Sequence, residues 1–151
     1  MHVFIFKLRF FSRHYSTYSK INILHHNFPV HIAGSKLATV QDVGVSGCSP
    51  DATACTLKRN SNVTISIDFT PLETEVHGVI MNLPVPFPIS QPDACKGDGL
   101  TCPLKPGEKQ AYRTTMPVLK SYPKVSVEVK WELKNEAGDD LVCVLIPAHI
   151  K

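Results

Sequence analysis

The chain has 151 residues, of which 43% are hydrophobic and 19% are charged, with a formal net charge of +3. This length suits one domain with one core, and the composition excludes an intrinsically disordered chain. The weak, scattered positive charge argues against a nucleic-acid partner, but it is compatible with a mild attraction to anionic membrane surfaces.

Residues 1–32 differ in character from the rest of the chain. Lys7 and Arg9 interrupt the apolar stretch that a secretory signal would need, and a polar segment containing aromatic residues follows. We therefore interpret residues 1–32 as an anomalous N-terminal segment, either a degenerate leader or a mispredicted start. Residues 33–151 are interpreted as the folded domain.

From residue 37 onward the apolar residues recur with a period of two, as in residues 63–69 and 125–133. Each such strand has one dry and one wet face, as an antiparallel sheet with one solvated side requires. Further predicted strands cover 37–46, 74–83, 109–118 and 141–150, with a seventh near 29–34 and a hairpin loop at 135–138. Frequent prolines and glycines argue against long helices, and no apolar run reaches the ~18 residues of a membrane-spanning helix. The predicted fold class is all-β, an immunoglobulin-like antiparallel β-sandwich.

Four of the five cysteines flank two short, polar, turn-rich loops: Cys48 with Cys55, and Cys95 with Cys102. Local disulfides in an oxidising compartment suit this spacing. Zinc binding would favour tighter Cys-x2-Cys pairs and further ligands, so no metal site is predicted. Asn62 begins an Asn-Val-Thr glycosylation sequon, which together with the cysteine loops favours a secretory route.

The segment 83–103 combines two conflicting signals. Three alternate prolines remove backbone donors, so the segment cannot keep a full strand ladder. Between them lie Val85, Phe87 and Ile89, which are apolar and would normally be buried. Such a stiff segment suits either the mouth of an apolar cavity between two sheets or a proline-rich connection packed on the core.

This segment and several others resemble one known family. The motifs are Val76–Met81, Val85–Ile89, Pro92–Lys96, Cys102–Pro103, Ser121–Pro123, Glu128–Leu133 and Cys143–Ile150. In order and spacing they are similar to the Niemann-Pick type C2 proteins, the sterol-carrying branch of the ML lipid-recognition family. The resemblance covers roughly residues 33–151. It implies a seven-stranded sandwich that holds a sterol in an apolar cavity between its sheets.

The resemblance also implies the binding residues. Family pocket positions fall on Phe87, Val118 and Tyr122, and Pro123 matches the proline beside that tyrosine. Phe87 would act as a gate or wall, Val118 as apolar wall, and Tyr122 as a ring face with a polar tip near the entrance. The family's glycosylated asparagine falls on Asn62. Its two local disulfides fall on the cysteine pairs named above.

One departure from the family concerns Cys143, which lies in an apolar run and is expected to be a buried, inert thiol. In the family this cysteine pairs with one in a Cys-Gly-Ser motif, where this chain reads Ala33-Gly34-Ser35. The third disulfide is therefore expected to be absent. Losing such a bridge costs about 2–5 kcal/mol of stability.

The predicted function is that of a non-enzymatic sterol carrier without a cofactor, secreted or in the lysosomal lumen, and monomeric. Expected partners are the lipid itself and a membrane surface or a lysosomal membrane sterol transporter. The alternative is an ML-domain protein that recognises a fatty acid, a semiochemical or a microbial glycolipid in innate immunity or chemosensing. Catalysis is disfavoured because the seven histidines show no metal spacing and no nucleophile elbow or phosphate loop is present.

Overall fold

The computed structural model describes residues 30–32, 34–35, 37–72 and 93–151, and all regular structure in these ranges is β-strand. No helix in these ranges has the length and apolar character needed to cross a membrane. The strands are β1 (His31–Ile32), β2 (Ala38–Val45), β3 (Cys55–Leu57), β4 (Ser61–Pro71), β5 (Gln110–Val118), β6 (Ser126–Lys134) and β7 (Asp140–Ile150).

The described strands form two sheets. In the first, β7 pairs with β6 on one side. On its other side β7 pairs directly with both β1 and β3. In the second, β4 lies between β2 and β5. Every pairing is antiparallel except that of β3 with β7, which is parallel. The predicted all-β sandwich is confirmed, with this one parallel pair as a difference.

The strands follow from the alternating pattern. In β4 the inward side chains are Val63, Ile65, Ile67 and Phe69, all of them buried. The five strands predicted from residue 37 onward that fall in the described ranges are confirmed within two residues at every end. The seventh strand predicted near residues 29–34 corresponds to β1, and the predicted strand 74–83 lies outside the described residues. The sequence pattern missed β3 because three residues are too few to show a period.

The hairpin loop predicted between β6 and β7 is confirmed at Asn135–Asp139. The Asp139 backbone N–H donates to Asn135 Oδ1 at 2.8 Å, and the Gly138 N–H donates to the Asn135 carbonyl at 3.0 Å. Gly138 has φ +87°, in the left-handed region that only glycine occupies without strain. The turn fixes the register of the longest strand pair in the first sheet.

The loop closed by the disulfide Cys95–Cys102 covers the edge of β5. The Arg113 backbone N–H donates to the Asp98 carbonyl at 2.8 Å. Gly99 has φ +86°, and a Cβ there would lie 2.7 Å from the Ala111 carbonyl oxygen. This close approach of two backbones requires glycine.

The prediction that the outer face of β6 is solvated is wrong at Glu132, which is only 1% exposed. Its carboxylate forms ion pairs with Lys130 and Lys134, whose side chains cover it. Cys143 lies opposite Glu132 in register and is also buried, as predicted. It is a free cysteine, and Ser35 Oγ accepts a hydrogen bond from its backbone N–H at 2.9 Å.

Candidate ligand cavity

A cavity lies between the two sheets, at the end of the sandwich where β3 leads into β4 and where β5 ends. Eleven of its lining residues come from strands β2 to β7 and one comes from the turn after β5. The lining residues are Val45, Leu57, Val63, Ile65, Met116, Val118, Tyr122, Val127, Val129, Ile146, Ala148 and Ile150.

The lining is apolar throughout apart from the phenol of Tyr122. The cavity volume is ≈ 20 Å³, which holds about one water molecule, whereas sites for drug-sized ligands measure roughly 300–1,000 Å³. Its walls therefore have to move before a ligand of that size fits. The described lining supplies no nucleophile, acid–base pair or metal ligand set, and its side chains are of the type that contacts apolar surface.

The structure brings two of the predicted site residues together on this cavity. Val118 is the last residue of β5 and is buried. Tyr122 follows in a turn closed by its own backbone N–H, which donates to the Leu119 carbonyl at 3.1 Å. The Tyr122 side chain is 8% exposed, and burial raises the pKa of its phenol, so the ring is neutral at physiological pH.

Of the two other predicted binding residues, one lies outside the cavity lining and one lies outside the described residues. Pro123 is exposed and is not among the lining residues, because the chain leaves the cavity after Tyr122 and runs toward β6. Phe87 lies outside the described residues, as does the proline-rich stretch around it.

Neither the disulfide-bonded cysteines nor Asn62 are lining residues of the cavity. The structure contains the disulfide Cys48–Cys55, which joins the loop after β2 to the start of β3. Asn62 is exposed on β4 and lies opposite Pro117 in register, while its neighbour Val63 points into the cavity. The asparagine side chain therefore lies on the outer face of the sheet, where a glycan has room.

For most of the remaining lining residues the sequence predicted an inward position on a strand, but it did not predict that they border a cavity. Val63, Ile65, Val127 and Val129 belong to the alternating apolar set. An inward apolar residue looks the same in sequence whether it fills a core or borders a void. Leu57 carried no signal because β3 was not predicted.

Exposed lysines surround this end of the sandwich. Lys58 and Lys120 flank the cavity end of β3 and β5, and Lys124 and Lys151 border an open groove beside β6 and β7. In the same groove Ser126 Oγ and His149 Nδ1 lie 2.8 Å apart. The cavity end therefore presents a positively charged surface.

One cluster on the opposite face of the first sheet has metal-ligating side chains. Ligand atoms of Glu132, Asp140 and Cys143 lie within 4.8 Å of one another. Lys134 already pairs with both carboxylates, and Lys130 pairs with Glu132. Burial raises the pKa of the Cys143 thiol to about 12, so the thiol is protonated. The cluster is thus an ion-paired network in which the lysine ammonium groups, rather than a metal ion, neutralise the carboxylates.

Comparison with known proteins identifies the family to which this architecture belongs. The family model described as ML domain matches residues 33–150. The chain is 68% identical over 123 residues to the ecdysteroid-regulated 16 kDa protein of Manduca sexta, covering 78% of this chain and 84% of the relative. It is 48% identical to NPC intracellular cholesterol transporter 2 homolog a of Drosophila melanogaster, with the same coverage.

A solved structure of a Niemann-Pick type C2 protein from Japanese carpenter ant superimposes with a TM-score of 0.70 at 35% identity, covering 80% of this chain and 98% of that one. The sandwich, the cavity and these matches agree with one another. The chain belongs to the ML-domain family, in its Niemann-Pick type C2 branch, and is a lipid-binding or lipid-transport protein of that family.

Proposed function

We propose that the chain is a non-enzymatic carrier that binds a sterol between its two sheets and releases it to another lipid environment. The observation that supports this most directly is the cavity between the sheets, with Val118 and Tyr122 in its wall and no charged side chain among its described lining. A neutral, rigid, apolar ligand matches such a lining.

The energetics favour an uncharged ligand. Burying several hundred Å² of apolar ligand surface supplies on the order of 10 kcal/mol gross at ~25 cal/mol per Å². Association and ordering costs remove a large part of this. A fatty acid whose carboxylate lay inside the cavity would add the cost of desolvating that group, since the described lining offers no cationic partner. A sterol with one hydroxyl at the mouth avoids that cost.

Binding requires the sheets to part at the cavity end. Within each sheet the strands are joined by hydrogen-bond ladders, whereas in the described residues the two inner faces meet through apolar side chains. Separation of the faces therefore costs apolar contacts rather than ladder hydrogen bonds. A bound sterol replaces those contacts with contacts of its own.

The proposed setting is extracellular or lysosomal. Both local disulfides and the exposed Asn62 are compatible with passage through an oxidising secretory compartment. The proposed delivery partner is an anionic membrane surface or a sterol transporter in the lysosomal membrane, with Lys124 and Lys151 of the groove beside β6 and β7 facing it. We propose that the carrier acts as a monomer.

The test is the identity of the lipid that the protein carries. The chain would be purified from a secreting host, extracted with organic solvent and examined by mass spectrometry, and then titrated with the fluorescent sterol dehydroergosterol. Energy transfer from Trp131, the single tryptophan, reports binding, since Trp131 lies two residues from Val129 of the cavity wall.

We expect a co-purified sterol and saturable energy transfer at one sterol per chain. Enrichment of a fatty acid, a semiochemical or an acylated glycolipid, without energy transfer to the sterol, would replace the sterol by that ligand and favour the recognition role. Absence of any apolar ligand and of any transfer would refute the carrier function.

A further inference from the structure

The chain passes from one sheet to the other at the cavity end, through Lys58–Asn60 between β3 and β4. The Arg59 backbone N–H donates to the carbonyl of Lys151, just after β7, at 2.8 Å. The Asn60 N–H donates to the carbonyl of Val118, at the end of β5, at 2.6 Å. This crossing is therefore hydrogen-bonded to both sheets at the cavity end.

The Arg59 side chain extends the same connection to the turn after β5. Its Nη1 donates to the carbonyl oxygen of Lys120 at 3.0 Å and to that of Tyr122 at 3.3 Å. Hydrogen bonds from a guanidinium are stronger than those from a neutral donor. One side chain thus fastens two carbonyls of the turn that carries a wall residue of the cavity.

Tyr122 differs from every other described lining residue in its backbone setting. The other eleven lie in strands, where ladder hydrogen bonds hold the backbone, while Tyr122 lies in the turn between β5 and β6. Since the cavity holds about one water molecule, a wall has to move to admit a ligand. The wall element with the fewest ladder constraints is the turn that Arg59 fastens.

We propose that Arg59 is a positioning residue that latches the Tyr122 turn and so sets the rates of ligand entry and release. The proposal rests on the carrier function above, in which the ligand enters between the sheets beside Tyr122. Because the latch opens and closes in both the empty and the loaded protein, its loss lowers a barrier common to entry and exit. Both rate constants then rise while their ratio, the equilibrium affinity, changes little.

The test compares three variants of the full chain. Arg59→Met removes the donors and keeps an apolar stem, and Arg59→Lys keeps the charge on a compact ammonium group without the planar guanidinium fork. Lys58→Met is the matched control, since it removes the same charge from an exposed neighbour. Association and dissociation of dehydroergosterol would be followed by stopped-flow energy transfer from Trp131, and urea unfolding would verify that each variant is folded.

We expect Arg59→Met to raise both rate constants about tenfold, equivalent to ~1.4 kcal/mol off the barrier, with the dissociation constant within about threefold of the parent. The rate constants of Arg59→Lys should lie between those of Arg59→Met and those of the parent, and the rate constants of Lys58→Met should match the parent. Rates for Arg59→Met and Arg59→Lys equal to those of the parent would overturn the latch. So would an equal effect of Lys58→Met, or a loss of affinity as large as the gain in dissociation rate.

A failure of the sterol assignment is distinguishable from a failure of the latch. If the parent chain does not bind dehydroergosterol, the sterol proposal fails, and the same variants are measured with the fluorescent fatty acid cis-parinaric acid. Faster exchange of that probe in Arg59→Met but not in Lys58→Met supports the latch, and unchanged exchange in Arg59→Met refutes it. If the parent takes up neither probe, both proposals fail.

Discussion

Cys143 and Glu132 lie opposite each other on β7 and β6, with the thiol Sγ 3.9 Å from the carboxylate Oε1, both buried on a face that strand alternation predicts to be wet. Four charged groups share this site, namely Glu132, Asp140, Lys130 and Lys134. For Lys130 and Lys134, burial lowers the pKa, but hydrogen bonds and charge interactions with the carboxylates outweigh it and raise the pKa overall. The thiol therefore lies in a network that stays neutral as a whole.

This network predicts a loss of stability in alkaline solution. The thiol pKa rises from an ordinary value of 9.0 to about 12 in the folded protein, mainly through burial. Above pH 9 the unfolded chain releases the thiol proton while the folded chain keeps it, so stability present below pH 9 is lost as the pH rises. We expect the free energy of unfolding to fall by about 1 kcal/mol between pH 8 and pH 10 from this group.

The measurement is urea unfolding followed by Trp131 fluorescence at a series of pH values. Cys143→Ala should be less stable at pH 8, because it leaves a small cavity, but should lose this alkaline slope. The raised pKa values of Lys130 and Lys134 act in the same direction only above about pH 10.5, outside this window. An unchanged slope in Cys143→Ala would show that other groups cause the alkaline loss.

Gly99 predicts a second, local effect on stability. Its φ of +86° disfavours any other residue, and a Cβ would lie 2.7 Å from the Ala111 carbonyl oxygen. Gly97 in the same disulfide loop has φ +97° but has no atom within 4 Å of a built Cβ. We expect Gly97→Ala to cost about 1–2 kcal/mol from backbone strain alone. Gly99→Ala should cost ~1–3 kcal/mol more, because Asp98 and Arg113 must separate.

Urea unfolding of the two variants measures this difference directly. Since both changes remove the same glycine freedom from the unfolded chain, their difference reports the close approach to β5. Equal unfolding free energies would mean that the loop moves away from β5 at little cost.

Much of the sandwich was predictable, because β4 and β6 are long enough for a period of two to be unambiguous. The three-residue β3 and its parallel pairing were not, since such a short strand has no pattern and its partner is set by the tertiary fold. For the site, Val118 and Tyr122 came from the family motif rather than from alternation. Leu57 was missed because β3 was not predicted, and Arg59 was missed because a crossing between sheets has no local sequence signal.

The lysines at the cavity end predict that the protein transfers sterol faster to anionic membranes than to neutral ones. Lys124 and Lys151 are exposed beside the groove next to β6 and β7. Lys105 and Lys109 are exposed near the far end, where Gly107 bonds to the last residue of β4. Each lysine near an anionic surface contributes ~1 kcal/mol.

Reversing Lys124 and Lys151 to Glu should therefore slow dehydroergosterol transfer to phosphatidylserine-containing vesicles by about tenfold or more at low salt. The Lys105→Glu/Lys109→Glu pair carries the same change in net charge and is the matched control. Transfer to neutral phosphatidylcholine vesicles should be alike in all three proteins. Equal slowing by both pairs would mean that net charge, not the cavity end, governs the encounter.

The binding residues themselves predict a loss of affinity without a loss of fold. Tyr122→Ser removes a ring that lines the cavity, and Phe87→Ala removes the side chain that the family resemblance assigns to the gate or wall. Losing an aromatic contact of this size costs about 1.5–3 kcal/mol of binding free energy, or roughly tenfold to a hundredfold in the dissociation constant of dehydroergosterol. The β-sheet circular dichroism should stay largely intact, since Tyr122 belongs to a turn and not to a ladder. Tyr122→Phe is the matched control: it keeps the ring and should retain most of the affinity if apolar contact is what matters. Sterol affinity equal to the parent in both Tyr122→Ser and Phe87→Ala would remove these two residues from the binding site.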